Sequence, residues 1–583
     1  MKKLFFAIII AIAVYFFSSG EVHAAVNDTL TIHALDGNLE QIINGDTTNT
    51  GMQAHKAYKL VSLDTTYVFQ GPVSVKSDFT IVGVLGADGR PPCIQPMTLP
   101  DGSLPIRMFS LNGANTKAVF KNLYLTGRST DNTIASGIDF DNGAGSIIQV
   151  AAEGIRLTVD NVVFCDWPTN NIAYSANNVS LFVTNCKFRN ATNSGAWYSG
   201  EAVRNTYNSA SSDSIVMKYN TMFCIAYSCL CPVTINPAKY LEFSHNSVIY
   251  TFKNPFWIYN MTDGKVNDNL FYAPFSGGSN FTEHFGMWDQ LRSFAVTGVV
   301  DFDTLLTPMA EWLDPADIGN PNFMWLAEAK RNIEVKNNIC YWPQAVRDIW
   351  TAWNDTAHVD SIVTPVWMNE RTIGMFADDV HWPGLVAAGN LEVDPQFGSS
   401  FNDIIFNNTE CGDGFKDYFR VVRSNEVGTV AKYGYKLETV EGDNWIPLWP
   451  LPELQDMQYS NAALKTGGTD GKPIGDPGWF TGGITAVDKD KNQLPDKFVL
   501  ENAFPNPFNP STTIKFSIAK DGNVNLKIFD ILGQSVKTIL NNEYKNMGTY
   551  EFNVDMNGFA NGLYFYTLQQ DEQQITKKMI LLK

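Results

Sequence analysis

The chain has 583 residues, which is enough for one large domain and one or two small ones. Its formal net charge of -18 argues against nucleic acid as a partner, because phosphate binding requires a basic surface. A low share of charged residues (17%), together with 44 glycines and 38 phenylalanines, favours an extracellular protein rich in β-strands and tight turns.

The first 24 residues have the pattern of a secretory signal peptide. Lys2 and Lys3 precede an apolar run from Leu4 to Phe17, and small residues follow up to Ala24. This run is short for a membrane span, which needs roughly 20 apolar residues. We therefore expect cleavage after Ala24 and no transmembrane segment in the mature protein.

The region after the signal peptide predicts a short helix and then strands. Residues 38–43 have the spacing of an amphipathic helix, which would cover the open end of a stack of strands. Alternating apolar residues predict strands over residues 58–63, 67–73 and 79–84. The glycine- and proline-rich stretch 86–92 is a turn signal.

One short pattern then recurs from Val119 to Tyr341: alternating apolar residues, an asparagine, two further residues and a bulky apolar one. The asparagines at this recurring position are Asn122, Asn161, Asn185, Asn220, Asn246, Asn269 and Asn338. The gaps between them are 39, 24, 35, 26, 23 and 69 residues. We interpret the short gaps as a repeat of about two dozen residues and the long ones as repeats that carry insertions.

Self-similarity at this period, built from two short strands around a turn, predicts a solenoid of stacked coils. The alternation has the period of strands, and no unit contains the helical run of a leucine-rich or ankyrin repeat. An asparagine at the corner can bond to its equivalent in the next coil and satisfy buried backbone groups at the bend. We therefore predict an internal asparagine ladder.

Over about residues 60–480 this pattern resembles the right-handed parallel β-helix family, which includes pectate lyases and related polysaccharide-active proteins. The resemblance implies a base, usually Lys or Arg, that removes the proton next to a uronate carboxylate, and a cation such as Ca2+. Catalytic candidates on or beside the coils are Arg204, Lys218, His245 and Lys253. Asp139 and Asp141 are the candidate calcium ligands. The alternative for each is a solvated or turn residue.

Two long insertions interrupt the coils, near residues 276–331 and 342–389, and hold eight of the 14 tryptophans. Residues 307–312 and 344–353 have helical spacing. One hypothesis is a sugar-binding surface, because flat rings stack on the apolar faces of sugars. The other is that the rings form the small core that each insertion needs. The candidates for substrate binding are Trp288, Trp312, Trp325, Trp350, Trp353 and Trp367.

The eight cysteines favour buried thiols over a metal site. Cys165, Cys186, Cys224 and Cys340 lie in or beside the repeat, where a thiol packs as a small apolar group. The remaining four are Cys93, Cys229, Cys231 and Cys411. An oxidising compartment permits disulfides, and one near Cys229 is left open, but the spacing matches no zinc pattern.

The end of the chain predicts a second, smaller domain. The solenoid is expected to end near residues 466–479, and residues 483–497 read as a polar linker. Over residues 498–583, strands that alternate apolar and polar positions with glycines at the turns predict an Ig-like β-sandwich.

This last segment also resembles, over its whole length, the C-terminal sorting domain of the type IX secretion system. The matching motifs are Asn506-Pro-Phe-Asn-Pro, Phe529-Asp-Ile-Leu-Gly-Gln, Gly562-Leu-Tyr-Phe and the C-terminal Lys577-Lys-Met-Ile-Leu-Leu-Lys. The resemblance implies passage through the outer membrane of a Gram-negative cell, with the secretion machinery as partner. The alternative is an ordinary Ig-like adhesion module.

The predicted fold class is all-β: a right-handed parallel β-helix with tryptophan-rich insertions, followed by a small β-sandwich. The expected domains are a signal peptide (1–24), the β-helix (25–482), a linker (483–497) and the sorting domain (498–583). We expect a secreted or cell-surface protein that binds extracellular polysaccharide, with lyase or glycoside hydrolase activity as a further hypothesis. The alternative is a non-catalytic adhesion or structural protein that binds glycan or protein through its insertions. Ca2+ is the one cofactor considered, and no nucleotide-binding loop is found.

Overall fold

The chain forms two compact units, residues 1–480 and 481–583. The computed structural model describes residues 28–480 and 498–582 except for 132, 134–144, 193–199, 207–209, 232–237, 257, 259, 279–297, 306–322, 357–360, 399–400, 402–413, 425, 427–433, 435–448, 450, 452–456, 502, 504–505, 521, 546–547 and 572. The expected signal peptide and its cleavage site at Ala24 therefore lie outside the described residues. Within the described residues, no helix has both the length and the hydropathy that crossing a bilayer requires.

The first unit is a parallel β-helix whose strands stack in three tracks, and each strand pairs in parallel with its equivalent one coil later. The first track contains β1 (Thr29–Ile32), β2 (Ala57–Leu60), β5 (Phe79–Gly83), β12 (Val179–Thr184), β15 (Ser212–Lys218), β18 (Tyr240–Ser244), β20 (Asp263–Asn267), β22 (Asn332–Lys336) and β24 (Leu385–Ala388). The second contains β3 (Tyr67–Phe69), β6 (Cys93–Pro96), β13 (Lys187–Ala191), β16 (Thr221–Ile225), β19 (Ser247–Thr251), β21 (Leu270–Tyr272), β23 (Ile339–Tyr341) and β25 (Leu391–Glu392).

Two longer strands, β8 (Lys117–Thr126) and β10 (Arg156–Cys165), turn the corner and belong to both of these tracks. The third track contains β4 (Val73–Val75), β7 (Arg107–Leu111), β9 (Ser146–Val150), β11 (Asn170–Tyr174), β14 (Glu201–Asn205) and β17 (Leu230–Cys231). This arrangement confirms the predicted all-β, parallel β-helical architecture.

The first coil is covered by a helix, as the sequence predicts. Helix α1 (Leu39–Gly45) buries Leu39 and Ile43 completely. Its Asn44 side chain donates to the Pro72 carbonyl oxygen at 3.0 Å and accepts from the Ser74 N–H at 2.8 Å. The helix is therefore fixed on the first strand of the third track. The strands predicted over residues 58–63 and 79–84 are present as β2 and β5, whereas the single strand predicted over 67–73 is divided into β3 and β4.

The predicted asparagine ladder is present at the corner between the first and second tracks. Its members are Asn220, Asn246, Asn269, Asn338 and Asn390, one from each of five consecutive coils. The Asn246 amide donates to the Met217 carbonyl (2.9 Å) and to Asn269 Oδ1 (3.1 Å), and its oxygen accepts from the Asn220 backbone N–H at 3.0 Å. Each ladder amide therefore satisfies backbone groups that the bend would otherwise leave buried without partners.

The earlier asparagines of the recurring pattern occupy a different position, which corrects the predicted spacing. The strands pair Leu181 with Ile215, so these coils are 34 residues apart and not 35. Asn185 is the corner residue itself, with a positive φ of 56°, whereas Asn220 is the residue after the corner. The ladder position in the coil of Asn185 is held by Cys186, whose N–H donates to Asn220 Oδ1 at 2.9 Å.

The same shift applies to the two preceding coils. Asn122 and Asn161 both have positive φ, and the Asn161 amide donates to Asn122 Oδ1 at 2.8 Å. The buried residues that follow them, Leu123 and Val162, take the ladder position. Both kinds of asparagine look alike in sequence because asparagine also tolerates the left-handed conformation.

The insertions add helices outside the coils. They contain α2 (Phe323–Glu328), α3 (Gln344–Asn354) and α4 (Glu370–Phe376), and α5 (Gly414–Arg423) follows the last coil. The helix expected over residues 344–353 is confirmed as α3, and the one expected over 307–312 lies outside the described residues. Trp350 of α3 is buried and donates to the Ser276 carbonyl at 2.8 Å, so the second insertion is anchored on the first.

A strap, residues 464–480, runs back over five coils along the outside of the same corner. Two short 3-10 helices contribute to the strap. Pro477–Trp479 lies within it, and Ala462–Thr466 begins two residues before the strap does. Thr469 Oγ1 donates to Asp268 Oδ2 at 2.6 Å, and Trp479 Nε1 donates to Thr221 Oγ1 at 2.7 Å. Asp476 binds both Lys187 and Thr221. The strap therefore closes the outer face of the second track.

Seven of the eight cysteines are described, and all seven are buried thiols. The buried-thiol interpretation is thus confirmed for these positions. The disulfide left open near Cys229 is not formed between the described cysteines. Cys411 lies outside the described residues.

The second unit consists of two antiparallel sheets around one apolar core. The three-stranded sheet contains β26 (Val499–Leu500), β27 (Ser511–Ile518) and β30 (Gly548–Asp555). The four-stranded sheet contains β28 (Gly522–Phe529), β29 (Ser535–Lys545), β31 (Gly562–Gln570) and β32 (Gln573–Leu581). Alternate residues of β27, β28 and β31 are fully buried, as the alternating sequence predicts.

Replacing a ladder asparagine tests how much the hydrogen bonds at the corner contribute to the free energy of unfolding. We expect Asn246→Ala to lower the free energy of unfolding of the first unit by about 2–4 kcal/mol, because it leaves the Asn220 N–H and the Met217 carbonyl buried without partners. The measurement is chemical denaturation of the full chain. Asn161→Gly is the matched control: Asn161 is exposed at a corner with positive φ, which glycine accepts, so the expected change is below about 0.5 kcal/mol. Equal effects of the two changes would contradict the role of the ladder.

Candidate functional site

The most accessible aromatic group in the described insertions is formed by Trp325, His381 and Trp382, here called the aromatic platform. Trp325 lies on α2, and its side chain is 44% exposed. Its ring centroid is 4.5 Å from that of His381 and 5.6 Å from that of Trp382. His381 and Trp382 come from the loop between α4 and β24, so the two insertions meet at this point.

A buried ion pair holds the platform in place. Trp382 Nε1 donates to Glu328 Oε2 at 2.6 Å, and the same carboxylate oxygen lies 3.0 Å from Arg331 Nη1. Glu328 and Arg331 are each 1% exposed. Arg331 also donates to the Met261 carbonyl at 2.9 Å, next to the first track. The position of Trp382 is therefore fixed relative to the coils.

The polar edge of the platform carries groups that can bind hydroxyls. His381 Nδ1 lies 2.7 Å from Asp378 Oδ2, and the imidazole donates in this bond. The bond from His381 holds the pKa of the Asp378 carboxyl below its ordinary value. In the neutral ring, His381 Nε2 is then an acceptor. Exposed rings next to an acceptor and a carboxylate are the chemistry that binds a sugar: stacking on the ring and hydrogen bonds to the hydroxyls.

The other tryptophans predicted for binding lie elsewhere. Trp350 and Trp353 are buried against the core of the coils. Trp367 is half-buried, and its ring centroid is 5.4 Å from that of Phe271. These three rings serve the packing of the insertions. Trp288 and Trp312 lie outside the described residues.

Two of the predicted catalytic residues, Arg204 and Lys253, meet around a carboxylate that the sequence analysis did not single out. Glu201 is fully buried, and its Oε1 accepts from Arg204 Nη1 at 2.9 Å. Lys253 Nζ lies 4.6 Å from the centroid of the Tyr227 ring. Burial raises the pKa of Glu201 to about 7, although Arg204 and Lys253 act in the opposite direction.

The other two predicted catalytic residues lie at the strapped corner. Lys218 Nζ is 3.0 Å from Glu242 Oε1, and Lys265 Nζ is 3.4 Å from the same oxygen. Burial would raise the pKa of Glu242, but these two lysines outweigh it and the pKa is lowered.

His245 is buried at the same corner. Its Nε2 lies 3.4 Å from Asp268 Oδ2 and 3.3 Å from Asp470 Oδ1, and its Nδ1 lies 3.1 Å from the Pro473 carbonyl oxygen. Asp470 and Pro473 belong to the strap. His245 therefore connects the strap to the coils, and Lys218 connects neighbouring coils.

The proposed calcium ligands Asp139 and Asp141 lie outside the described residues. Among the residues that the structure does describe, no group of three or more His, Cys, Asp or Glu side chains is arranged to hold a metal ion.

Sequence reasoning found Trp325 through its place in an insertion, but it missed His381 and Trp382 as its partners. The two segments are more than 50 positions apart, and only the meeting of the insertions brings them together. Glu201 was missed because a single glutamate at the start of a strand carries no pattern. The one available signal was an acidic residue at a position that Arg107, Ser146 and Asn170 hold in other coils of the third track.

Comparison with known proteins identifies the end of the chain. Residues 502–582 match the family of secretion system C-terminal sorting domains. No curated protein matches the chain. The match supports export by the type IX secretion system, contact with its machinery, and a secreted or cell-surface location in Bacteroidetes-type bacteria.

The environment of Glu201 generates a prediction about pH. Its folded pKa of about 7 lies above the ordinary value of 4.5, so between these values the folded state binds more protons than the unfolded state. Stability therefore falls as the pH rises through this range. We expect the difference in unfolding free energy, Glu201→Gln minus wild type, to become more positive by roughly 3 kcal/mol between about pH 4.5 and pH 8.

Glu242→Gln is the matched control for this measurement. The folded pKa of Glu242 is lowered, so its contribution is present above the unfolded pKa and is lost as the pH falls. The deficit of Glu242→Gln should therefore shrink in acid, within the range below about pH 4.5. Denaturation curves at several pH values measure both variants. A flat pH dependence of the Glu201→Gln difference would mean that Glu201 is ionised throughout.

Proposed function

We propose that this chain is an exported glycan-binding protein and that the aromatic platform is its binding surface. The observation that carries the proposal is the exposed Trp325 ring, which lies tilted against His381 and edge-on to Trp382, a ring that a buried ion pair holds in place. An exposed, immobilised tryptophan offers apolar area to a sugar face with little loss of side-chain entropy on binding.

The surroundings of the predicted catalytic residues favour binding over cleavage. Arg204, Lys218 and His245 each lie within 3.4 Å of a carboxylate oxygen, and Glu201 beside Arg204 is fully buried. A proton-abstracting base must reach the substrate within hydrogen-bond distance. Groups that tie coils and strap together are better explained as parts of the scaffold.

Export agrees with this function. A C-terminal sorting domain takes the β-helix out of the cell, where polysaccharides of the environment or of neighbouring cells are available ligands. The insertions of a solenoid collect on its outside, and the platform lies on two of them. The stacked coils then provide a long, rigid support for a surface that binds an extended polymer.

Removing the exposed ring tests the proposal. We expect Trp325→Ala in the full chain to weaken retention on an immobilised glycan by about tenfold or more, because a stacked tryptophan contributes roughly 1.5–3 kcal/mol through buried apolar area. The ligands are a panel of neutral and uronate polysaccharides in affinity electrophoresis. The same samples are followed for unsaturated products and for new reducing ends.

Trp449→Ala provides the matched control, since Trp449 is also partly exposed but packs on the early coils, where its Nε1 donates to the Asp88 carbonyl at 2.9 Å. Its affinity for the glycan should equal that of the wild type. Binding that survives Trp325→Ala would move the site away from the platform. Release of product by the wild type would overturn the non-catalytic reading.

A further inference from the structure

The sorting domain has an apolar tip that its own core does not use. The tip is the turn between β28 and β29, where Ile531 is 69% exposed and Leu532 is 78% exposed. Turns usually carry small polar residues, since these bond to the local backbone and prefer water. Two adjacent branched aliphatic side chains at such a position are a cost to the isolated domain, which a partner surface would remove.

The turn holds these side chains in a fixed position. Asp530 Oδ1 accepts from the backbone N–H groups of Leu532 and Gln534, both at 2.9 Å. Gly533 supplies the positive φ of 78° that the turn requires. The Gly533 N–H also donates to the Asp530 carbonyl at 3.1 Å. The tip is therefore presented without the flexibility of a loose loop.

An apolar groove continues from the tip over the outer face of the four-stranded sheet. Phe529 of β28 and Phe565 of β31 face each other in register and are both half-exposed. Together with Ile531 they line an open groove of about 310 Å³. Thr567 and Thr576, whose hydroxyl oxygens lie 2.9 Å apart, form its polar wall.

The groove lining contains one carboxylate, Asp530, whose Oδ1 accepts from two N–H groups of the turn, and lysines lie on the sheet face around it. The outward positions of β28, β31 and β32 alternate with the buried ones, and among the described residues of these three strands they include Lys527 and Lys578 but no carboxylate. Lys578 lies opposite Phe565 in the register of β31 and β32. The partner that fits is an apolar pocket with acidic residues at its edge.

We propose that the tip, Ile531 and Leu532, and the groove beside it form the surface by which this sorting domain docks on the secretion machinery. The match to the sorting family covers residues 502–582, so the tip lies within the part of the chain that the machinery recognises. The tip supplies the buried aliphatic anchor of the interface, and the lysines supply its charged rim. This inference goes beyond glycan binding and does not depend on it.

The test is export of the full-length chain from a Gram-negative host with an active type IX system. We expect Ile531→Ser combined with Leu532→Ser to lower the ratio of surface and medium protein to periplasmic protein by about tenfold, as the loss of an interface anchor does. Serine suits the turn, and both side chains are exposed, so the unfolding midpoint should not change. Lys578→Glu should lower export in the same direction through the charged rim.

Tyr544→Ser is the matched control, because Tyr544 is 65% exposed on β29 of the same sheet but does not line the groove. Its export should equal that of the wild type. Removal of residues 498–583 shows whether the sorting domain is needed at all. If that truncation is still exported, the sorting role itself fails.

A different result would overturn the docking surface alone. If the truncation blocks export but the double serine variant is exported normally, the machinery recognises another face of the domain. The remaining possible partner of the tip is a second copy of the chain. Light scattering of the purified variants measures this self-association. Normal export together with a loss of self-association would assign the tip to contact between two copies of the chain.

Discussion

The hydrogen bonds at the corner between the first and second tracks are the constraint on which the rest of the first unit depends. A coil that turns sharply inside a stack exposes its backbone groups to an apolar interior, and the five ladder asparagines supply the missing partners. Because every ladder amide bonds to a neighbouring coil, the spacing of the coils is fixed wherever the ladder runs. The strap adds outer contacts along the same corner, at Asp268 and Thr221 among others.

This constraint explains where additional sequence can be accommodated. Successive coils must stay in register, so extra residues leave the stack between a second-track strand and the next first-track strand, as they do between β21 and β22 and between β23 and β24. A segment that leaves the stack must bury its own apolar side chains. Trp350 is an example: its ring is buried, and its Nε1 donates to the Ser276 carbonyl. Trp325 remains outside this core. The register of the coils therefore determines where the insertions leave the stack, and the packing of the insertions brings the platform residues together.

The extent of sequence-based prediction follows from the same physics. Alternation with period 2 and a recurring asparagine were sufficient to predict the solenoid and the ladder, and amphipathic spacing was sufficient to predict the capping helix near residues 38–43. The sequence could not separate the corner residue Asn185 from the ladder residue Asn220, because asparagine fits both a left-handed backbone and a buried amide network. The site was harder to predict, since the contact of Trp325 with His381 and the electrostatic effect of Lys253 on Glu201 join segments more than 50 residues apart, and no local pattern records such a pairing.

Trp325 and Leu532 are both exposed apolar side chains in rigid surroundings, and this combination favours a binding surface over incidental exposure. Trp325 lies beside a ring that the Glu328–Arg331 pair immobilises, and Leu532 lies on a turn that the Asp530 carboxylate fixes. A flexible apolar side chain would lose entropy on binding, whereas one already held in place keeps most of its burial energy for the complex. In both units, buried or local polar bonds therefore hold an apolar surface in place, which is the condition that the two proposed binding surfaces require.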